Sequence, residues 1–230
     1  WSWVYTYLLK SYFSQLQAEV INMEKHQSDN PASENSERNL DGKFWNERYK
    51  ANETGWDLGE VSPPLKAYID QLDNKDLRIL IPGCGNSYEA EYLLNKGFTN
   101  VSVIDIAAEP VNRLRVKFQS NPNIRIILGD FFTHQAEYDL ILEQTFFCAL
   151  DPKLRQSYVE AMKGLLAQGG KLVGVLFNKE FEQQGPPFGG TDAEYRKLFT
   201  DAFEFRTFED CYNSFPKRAN SEVFMILQRK

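Results

Sequence analysis

From Leu77 onward, short apolar runs alternate with segments whose apolar residues recur at helical spacing. Leu77–Ile81, Val101–Asp105, Ile124–Leu128, Tyr138–Glu143 and Lys171–Phe177 read as strands buried on both faces, since such strands are near-continuous apolar runs. Between them, Ser87–Lys96, Glu109–Gln119 and a long segment from Asp151 to about Leu166 carry the period of amphipathic helices. Gly97 is placed to end the first helix in a left-handed conformation, Asn121-Pro122 closes the second, and Gln168-Gly169-Gly170 the third. Asp151 and Pro152 suit an N-cap and a first helical position. A further helix is expected from Thr191 to about Asp201, followed by strands at Phe203–Phe208 and Glu222–Gln228. No helix separates these last two, so they should pair antiparallel. The alternation predicts an α/β fold: a doubly wound, mostly parallel seven-stranded sheet with an antiparallel C-terminal hairpin.

The pattern changes upstream. Phe44–Lys50 is helical in spacing and brings Phe44, Trp45 and Tyr49 close together. Thr54-Gly55-Trp56-Asp57-Leu58-Gly59 is a loop with glycines around a tryptophan, and Pro63-Pro64 opens a helix running to Leu72. This part is expected to form an N-terminal lid. His26–Asn39 is polar throughout, too poor in apolar surface to fix its backbone. The expected organisation is a peripheral or flexible extension over residues 1–39 and a single domain over residues 40–230. Residue 1 is not Met, and Met23 follows an amphipathic-looking stretch, so the residues before it read equally as an extension or a peripheral helix.

Composition narrows the function classes. The chain has 230 residues, 42% of them hydrophobic, enough for a full core. Its net charge of −6, without clustered Lys and Arg, argues against nucleic acid or an anionic membrane surface as partner. No apolar run reaches bilayer-spanning length. The three cysteines show no CxxC spacing and fit no disulfide framework, which points to the cytoplasm. His26 and His134 are too few for a histidine-built metal site or a Ser-His relay, so no metal is expected.

The candidate chemistry begins at Ile81-Pro82-Gly83-Cys84-Gly85, where a strand ends in a glycine turn at the edge that binds ligands in α/β sheets. A dinucleotide fingerprint would carry a third glycine at position 88, where Tyr88 stands. Asp105, twenty residues beyond Gly85 at the end of the second strand, can accept both hydroxyls of a ribose. Glycines and acid together favour an adenosine-containing cofactor, either NAD(P) or S-adenosylmethionine. Gly129-Asp130-Phe131 after the third strand suits an adenine ring, and the fourth strand ends in Glu143-Gln144-Thr145, polar groups expected beside the cofactor's reactive end. Each residue also has an ordinary structural reading: a tight turn, a helix cap, core packing.

Phe44-Trp45 with Tyr49, Gly55-Trp56-Asp57, Ile81-Pro82-Gly83-Cys84-Gly85, Gly129-Asp130-Phe131-Phe132, Phe146-Phe147-Cys148-Ala149-Leu150 and Gly185-Pro186-Pro187-Phe188 occur in that order. This ordered set, over residues 40–230, resembles the thiopurine S-methyltransferase family, nearest to its bacterial and plant halide, thiocyanate and thiol methyltransferases. The resemblance implies a Rossmann-like class I methyltransferase fold with S-adenosyl-L-methionine as cofactor. It places Trp45, Tyr49, Trp56, Gly83, Gly85, Asp105, Asp130, Phe131 and Gln144 at the cofactor. Phe146, Phe147 and Phe188 are candidates for an apolar acceptor pocket, and no general base is assigned, because an activated methyl needs alignment and exclusion of water. The expectation is methyl transfer to a small soft nucleophile (thiol, thiocyanate, sulfide or halide) by a cytoplasmic monomer or weak homo-oligomer. A nicotinamide-dependent reductase and a non-catalytic cofactor-binding module are the alternatives.

Overall fold

The structure, a computed structural model, describes residues 39–230. The expected extension and linker therefore lie outside the described residues, save Asn39. One mixed sheet in the order β3-β2-β1-β4-β5-β7-β6 organises the rest. Strands β1 (Ile79–Pro82), β2 (Val101–Asp105), β3 (Ile124–Leu128), β4 (Tyr138–Gln144) and β5 (Leu166–Phe177) run parallel. β7 (Glu222–Arg229) lies antiparallel to β5, and β6 (Phe203–Asp210) lies antiparallel to β7. β7 is thus the one reversed strand, and β6 resumes the direction of the others at the edge.

Alternation along the strands sorts the core into two layers. Ile79, Ile81, Val101, Val103, Leu140 and Leu142 face one side. There they meet α2 (Pro63–Ile69), α3 (Tyr88–Asn95) and α4 (Ala108–Lys117) through Leu65, Ile69, Leu93 and Leu114. Leu80, Ile141 and Leu172 face the other, against Tyr158, Met162 and Phe199 of α5 (Arg155–Leu165) and α6 (Asp192–Phe199). The first helix, α1 (Gly42–Lys50), packs beside α4: the Glu109 N–H donates to Asn46 Oδ1 at 2.8 Å, and Arg113 Nη2 donates to the Tyr49 carbonyl at 3.2 Å.

Two boundaries differ from expectation for identifiable reasons. Asp151 caps a 3₁₀ turn, Pro152–Leu154, accepting the Lys153 N–H at 2.8 Å, and the α-helix begins only at Arg155. At its other end, Gly169-Gly170 does not separate helix from strand. β5 starts directly at Leu166, and the glycines lie inside it where its register against β4 shifts. Gly169, at φ +73°, supplies the irregular turn that an extended chain of other residues resists. Gln228 Nε2 ties its carbonyl to β7 at 2.9 Å. The α6 start follows its capping box: Thr191 Oγ1 accepts the Glu194 N–H at 3.3 Å while Glu194 Oε2 accepts the Thr191 N–H at 2.9 Å.

Candidate active site

The glycine turn follows β1 directly, with Gly83, Gly85 and Ser87 at φ of +56°, +48° and +48°. A side chain at Gly83 would run into the ring of Phe146, and a Cβ at Gly85 would stand 2.7 Å from the Tyr49 hydroxyl. Glycine is required there by backbone conformation and by close approach together. Ser87 adopts the same region at an energetic cost, and its buried Oγ has no hydrogen-bond partner among the described residues.

Asp105 ends β2 beside this turn. Its Oδ2 accepts the Gly85 N–H at 3.1 Å and its Oδ1 the Ala107 N–H at 2.9 Å. One carboxylate therefore joins the turn to the start of α4 while bordering a cavity. Burial raises its pKa from the usual carboxylate value, and the backbone N–H groups work against that rise.

An aromatic cover lies over the turn. Asp41 caps α1 by accepting the Phe44 N–H at 2.9 Å, which sets Trp45 and Tyr49 one helical turn apart on a single face. Trp56 meets both edge-on, with ring centroids 5.5 Å from Trp45 and 5.6 Å from Tyr49. The Arg48 guanidinium sits 5.6 Å from the Trp56 ring. Burial, with Asp105 close by, raises the Tyr49 pKa and keeps its hydroxyl neutral.

Two cavities meet beneath this cover. The larger, about 480 Å³, is bordered by Trp45, Asp105, Asp130, Phe131, Phe146 and Arg218 among others. The smaller, about 60 Å³, reaches Gly85, Ser87 and Gln144. Tyr49, Trp56, Gly83 and Thr145 border both, so the junction lies among them. Gln144 Oε1 is buried without a hydrogen-bond partner among the described residues. Asp130 is exposed and accepts the Phe132 N–H at 2.9 Å, starting the 3₁₀ turn Phe131–Thr133. Phe131 is buried, its ring centroid 5.1 Å from that of Phe146.

Every candidate residue borders a cavity except Phe147 and Phe188. The 3₁₀ turn Phe147–Ala149 sends Phe146 to the cavity and Phe147 into the core. Phe147 is 1% exposed, 4.9 Å from the Tyr158 ring and 5.6 Å from that of Tyr195. Phe188 contributes its backbone, donating its N–H to the Cys148 carbonyl at 2.7 Å, while Pro186 and Pro187 form the wall.

Sequence reasoning passed over Arg218, which stood in the sequence only as one of two basic residues in a polar connection. It is buried, borders the larger cavity, and donates Nη2 to the Trp56 carbonyl at 2.7 Å. Its Nη1 lies 3.4 Å from Glu222 Oε1, and its guanidinium 5.4 Å from the Phe177 ring centroid. Ser87 was passed over too, and Thr145 was read as a polar group at the site without its strained backbone, because positive φ angles leave no trace in residue type. No helix among the described residues is long and apolar enough to cross a membrane.

The profile described as thiopurine S-methyltransferase matches residues 40–228. A probable thiol methyltransferase of Arabidopsis thaliana is 32% identical over 159 residues, which cover 67% of this chain and 70% of that protein. A thiopurine S-methyltransferase of Vibrio cholerae is 28% identical over 187 residues, covering 74% and 86% respectively. Among solved structures, the Burkholderia thailandensis 1,6-didemethyltoxoflavin N1-methyltransferase superposes with a TM-score of 0.66 at 16% identity, over 82% of this chain and 86% of that one. That likeness concerns the fold, a class I methyltransferase sheet. Neither a nicotinamide-dependent reductase nor a non-catalytic module is favoured by this family match. The chain belongs to the thiopurine S-methyltransferase family and is an S-adenosylmethionine-dependent methyltransferase.

Proposed function

We propose that the enzyme methylates a small, soft, anionic acceptor — a thiolate, thiocyanate, sulfide or halide — held in the larger cavity. The observation that carries this reading is Arg218, a buried cation that borders the larger cavity along with Phe146, Phe177, Pro186 and Pro187, in a lining that also holds Arg48, Asp105 and Asp130; Glu222 offsets part of its charge. The apolar part of that lining strips water from an anion, and the guanidinium compensates part of that loss. Soft anions, large and weakly hydrated, bear desolvation most easily.

The residues present fit the cofactor. Asp105 offers a carboxylate to ribose hydroxyls, and Asp130 with Phe131 an acceptor and a ring edge to adenine. Gln144 Oε1 and Ser87 Oγ, buried beside the smaller cavity without partners among the described residues, offer oxygens to an ammonium group. Gly83 and Gly85 leave room against the turn, and Trp45, Tyr49 and Trp56 cover it. Bound S-adenosylmethionine supplies a methyl group on a sulfonium sulfur, already activated for displacement. The chain aligns the acceptor with the junction at Thr145 and keeps water out, a contribution of about 7–11 kcal/mol when alignment is good. No proton needs to move if the acceptor enters as an anion. A net charge of −6 and three free cysteines fit a cytoplasmic monomer or weak homo-oligomer.

The test is a methyl-transfer assay with iodide, thiocyanate, sulfide, small thiols and a thiopurine, read by headspace analysis for the volatile products. Turnover of soft anions is expected, lost in Arg218→Met with a raised acceptor KM. Tight S-adenosylhomocysteine binding with no turnover of any soft anion would refute the acceptor class.

A further inference from the structure

Glu143 lies beside the site without touching either cavity. It is fully buried, at 0% exposure, and no cation among the described residues pairs with it: its partners are two backbone N–H groups and a phenol. Oε1 accepts the Phe146 N–H at 2.8 Å and the Phe147 N–H at 3.0 Å, and Oε2 accepts the Tyr158 hydroxyl at 2.7 Å. A buried carboxylate without a counter-charge is costly, so its retention in the core needs a reason. The turn it grips supplies one. Thr145, a β-branched residue, stands there at φ +62°, in the region such residues avoid. Thr145 borders both cavities, and the next residue, Phe146, presses its ring on Gly83. One carboxylate therefore fixes both the strained residue at the junction and the aromatic wall beside it.

We propose that Glu143 is a positioning residue for methyl transfer: through the Phe146 and Phe147 amides it holds Thr145 and Phe146 at the junction where cofactor and acceptor meet. Tyr158, on α5, anchors the carboxylate from the opposite side and belongs to the same device. The inference rests on the reading that the larger cavity takes the acceptor and the adenosine part of the cofactor and the smaller its amino-acid part, which puts the sulfonium that joins those parts at Thr145. It predicts damage to the chemical step rather than to cofactor affinity, since neither residue borders a cavity. In this scheme Glu143→Gln keeps an oxygen for the two amides and acts as the conservative rescue, whereas Glu143→Met offers none.

Three readouts test it on the full chain. With thiocyanate as acceptor, Glu143→Met should lower kcat at least thirtyfold, and Glu143→Gln should stay within about fivefold of wild type. The S-adenosylhomocysteine Kd should change less than threefold in both. Amide hydrogen exchange, which needs no acceptor, should show protection at Phe146 and Phe147 falling at least fiftyfold in Glu143→Met while Leu165 and Val173 stay protected. If Glu143→Met does not fold, Tyr158→Phe serves in its place, with a roughly fivefold loss of kcat and a similar Kd. Unchanged exchange at Phe146 and Phe147 would overturn the positioning role, and so would kcat and Kd falling in parallel. If wild type turns over none of the probe anions, the acceptor reading fails, and the exchange experiment still decides for or against Glu143.

Discussion

Asp105 takes two backbone N–H groups and still borders the larger cavity, so its loss acts twice. Asp105→Ala removes a charged acceptor from the site and leaves the Gly85 N–H without its partner. S-adenosylhomocysteine binding should weaken by about 1.5–3 kcal/mol, tenfold to a hundredfold in Kd by calorimetry; an unaltered Kd would reject the assigned role. Glu143 makes its prediction through pH. Burial raises its pKa from 4.5 to about 7, against the lowering effect of its three hydrogen bonds. The folded state thus keeps a proton that the unfolded state has released between those values, and stability falls as pH rises through that window. The groups facing Glu143 are Tyr158 and Cys148, both neutral because burial raises their pKa. From pH 5 to pH 8 the wild type should lose about 2 kcal/mol relative to Glu143→Gln in urea unfolding. Parallel pH profiles would contradict the raised pKa. At this scale the sequence was most legible where residue type and position coincide: Gly83, Gly85 and Asp105 each do something few other residues could. Phe147 could not be told from its neighbour Phe146, since a single 3₁₀ turn decides which of the two faces the cavity, and Phe188 follows two prolines that take the wall in its place.

Elements were legible where their ends carry chemistry. The α6 start follows from Thr191 and Glu194, and removing the cap by Thr191→Ala should cost about 1 kcal/mol, a fall in Tm of about 2–4 °C by scanning calorimetry. The start of β5 was not legible, because two glycines after a helix ordinarily end it. Here side chains of the distant β7 hold the segment in the sheet, Gln228 donating to the Gly169 carbonyl and Arg229 to that of Leu166. The aromatic cover behaves as one element although it comes from α1 and a loop. Trp56→Ala removes its edge contacts with Trp45 and Tyr49 while leaving the sheet untouched. It should raise the KM for cofactor at least fivefold with Tm nearly unchanged; a fall of more than 5 °C would mean that Trp56 chiefly supports the fold.

For the whole molecule, the βα alternation and the order of motifs were enough to establish the sheet and its family, since both are local patterns repeated down the chain. Long-range closures were beyond reach. The Arg218–Trp56 bond is the plainest case, joining residues 162 positions apart. Nothing local marks such a pair, and forming it requires the intervening sheet to exist first. That bond has a consequence for how the protein is made. During synthesis the glycine turn, Asp105 and the aromatic cover all leave the ribosome well before Arg218 does. A nascent chain can therefore carry most of the proposed cofactor site and still lack the bond from Arg218 that holds the Trp56 carbonyl. Cofactor captured by such a chain would be held by an open cover and readily lost, so tight occupancy reports a chain whose final strands have docked.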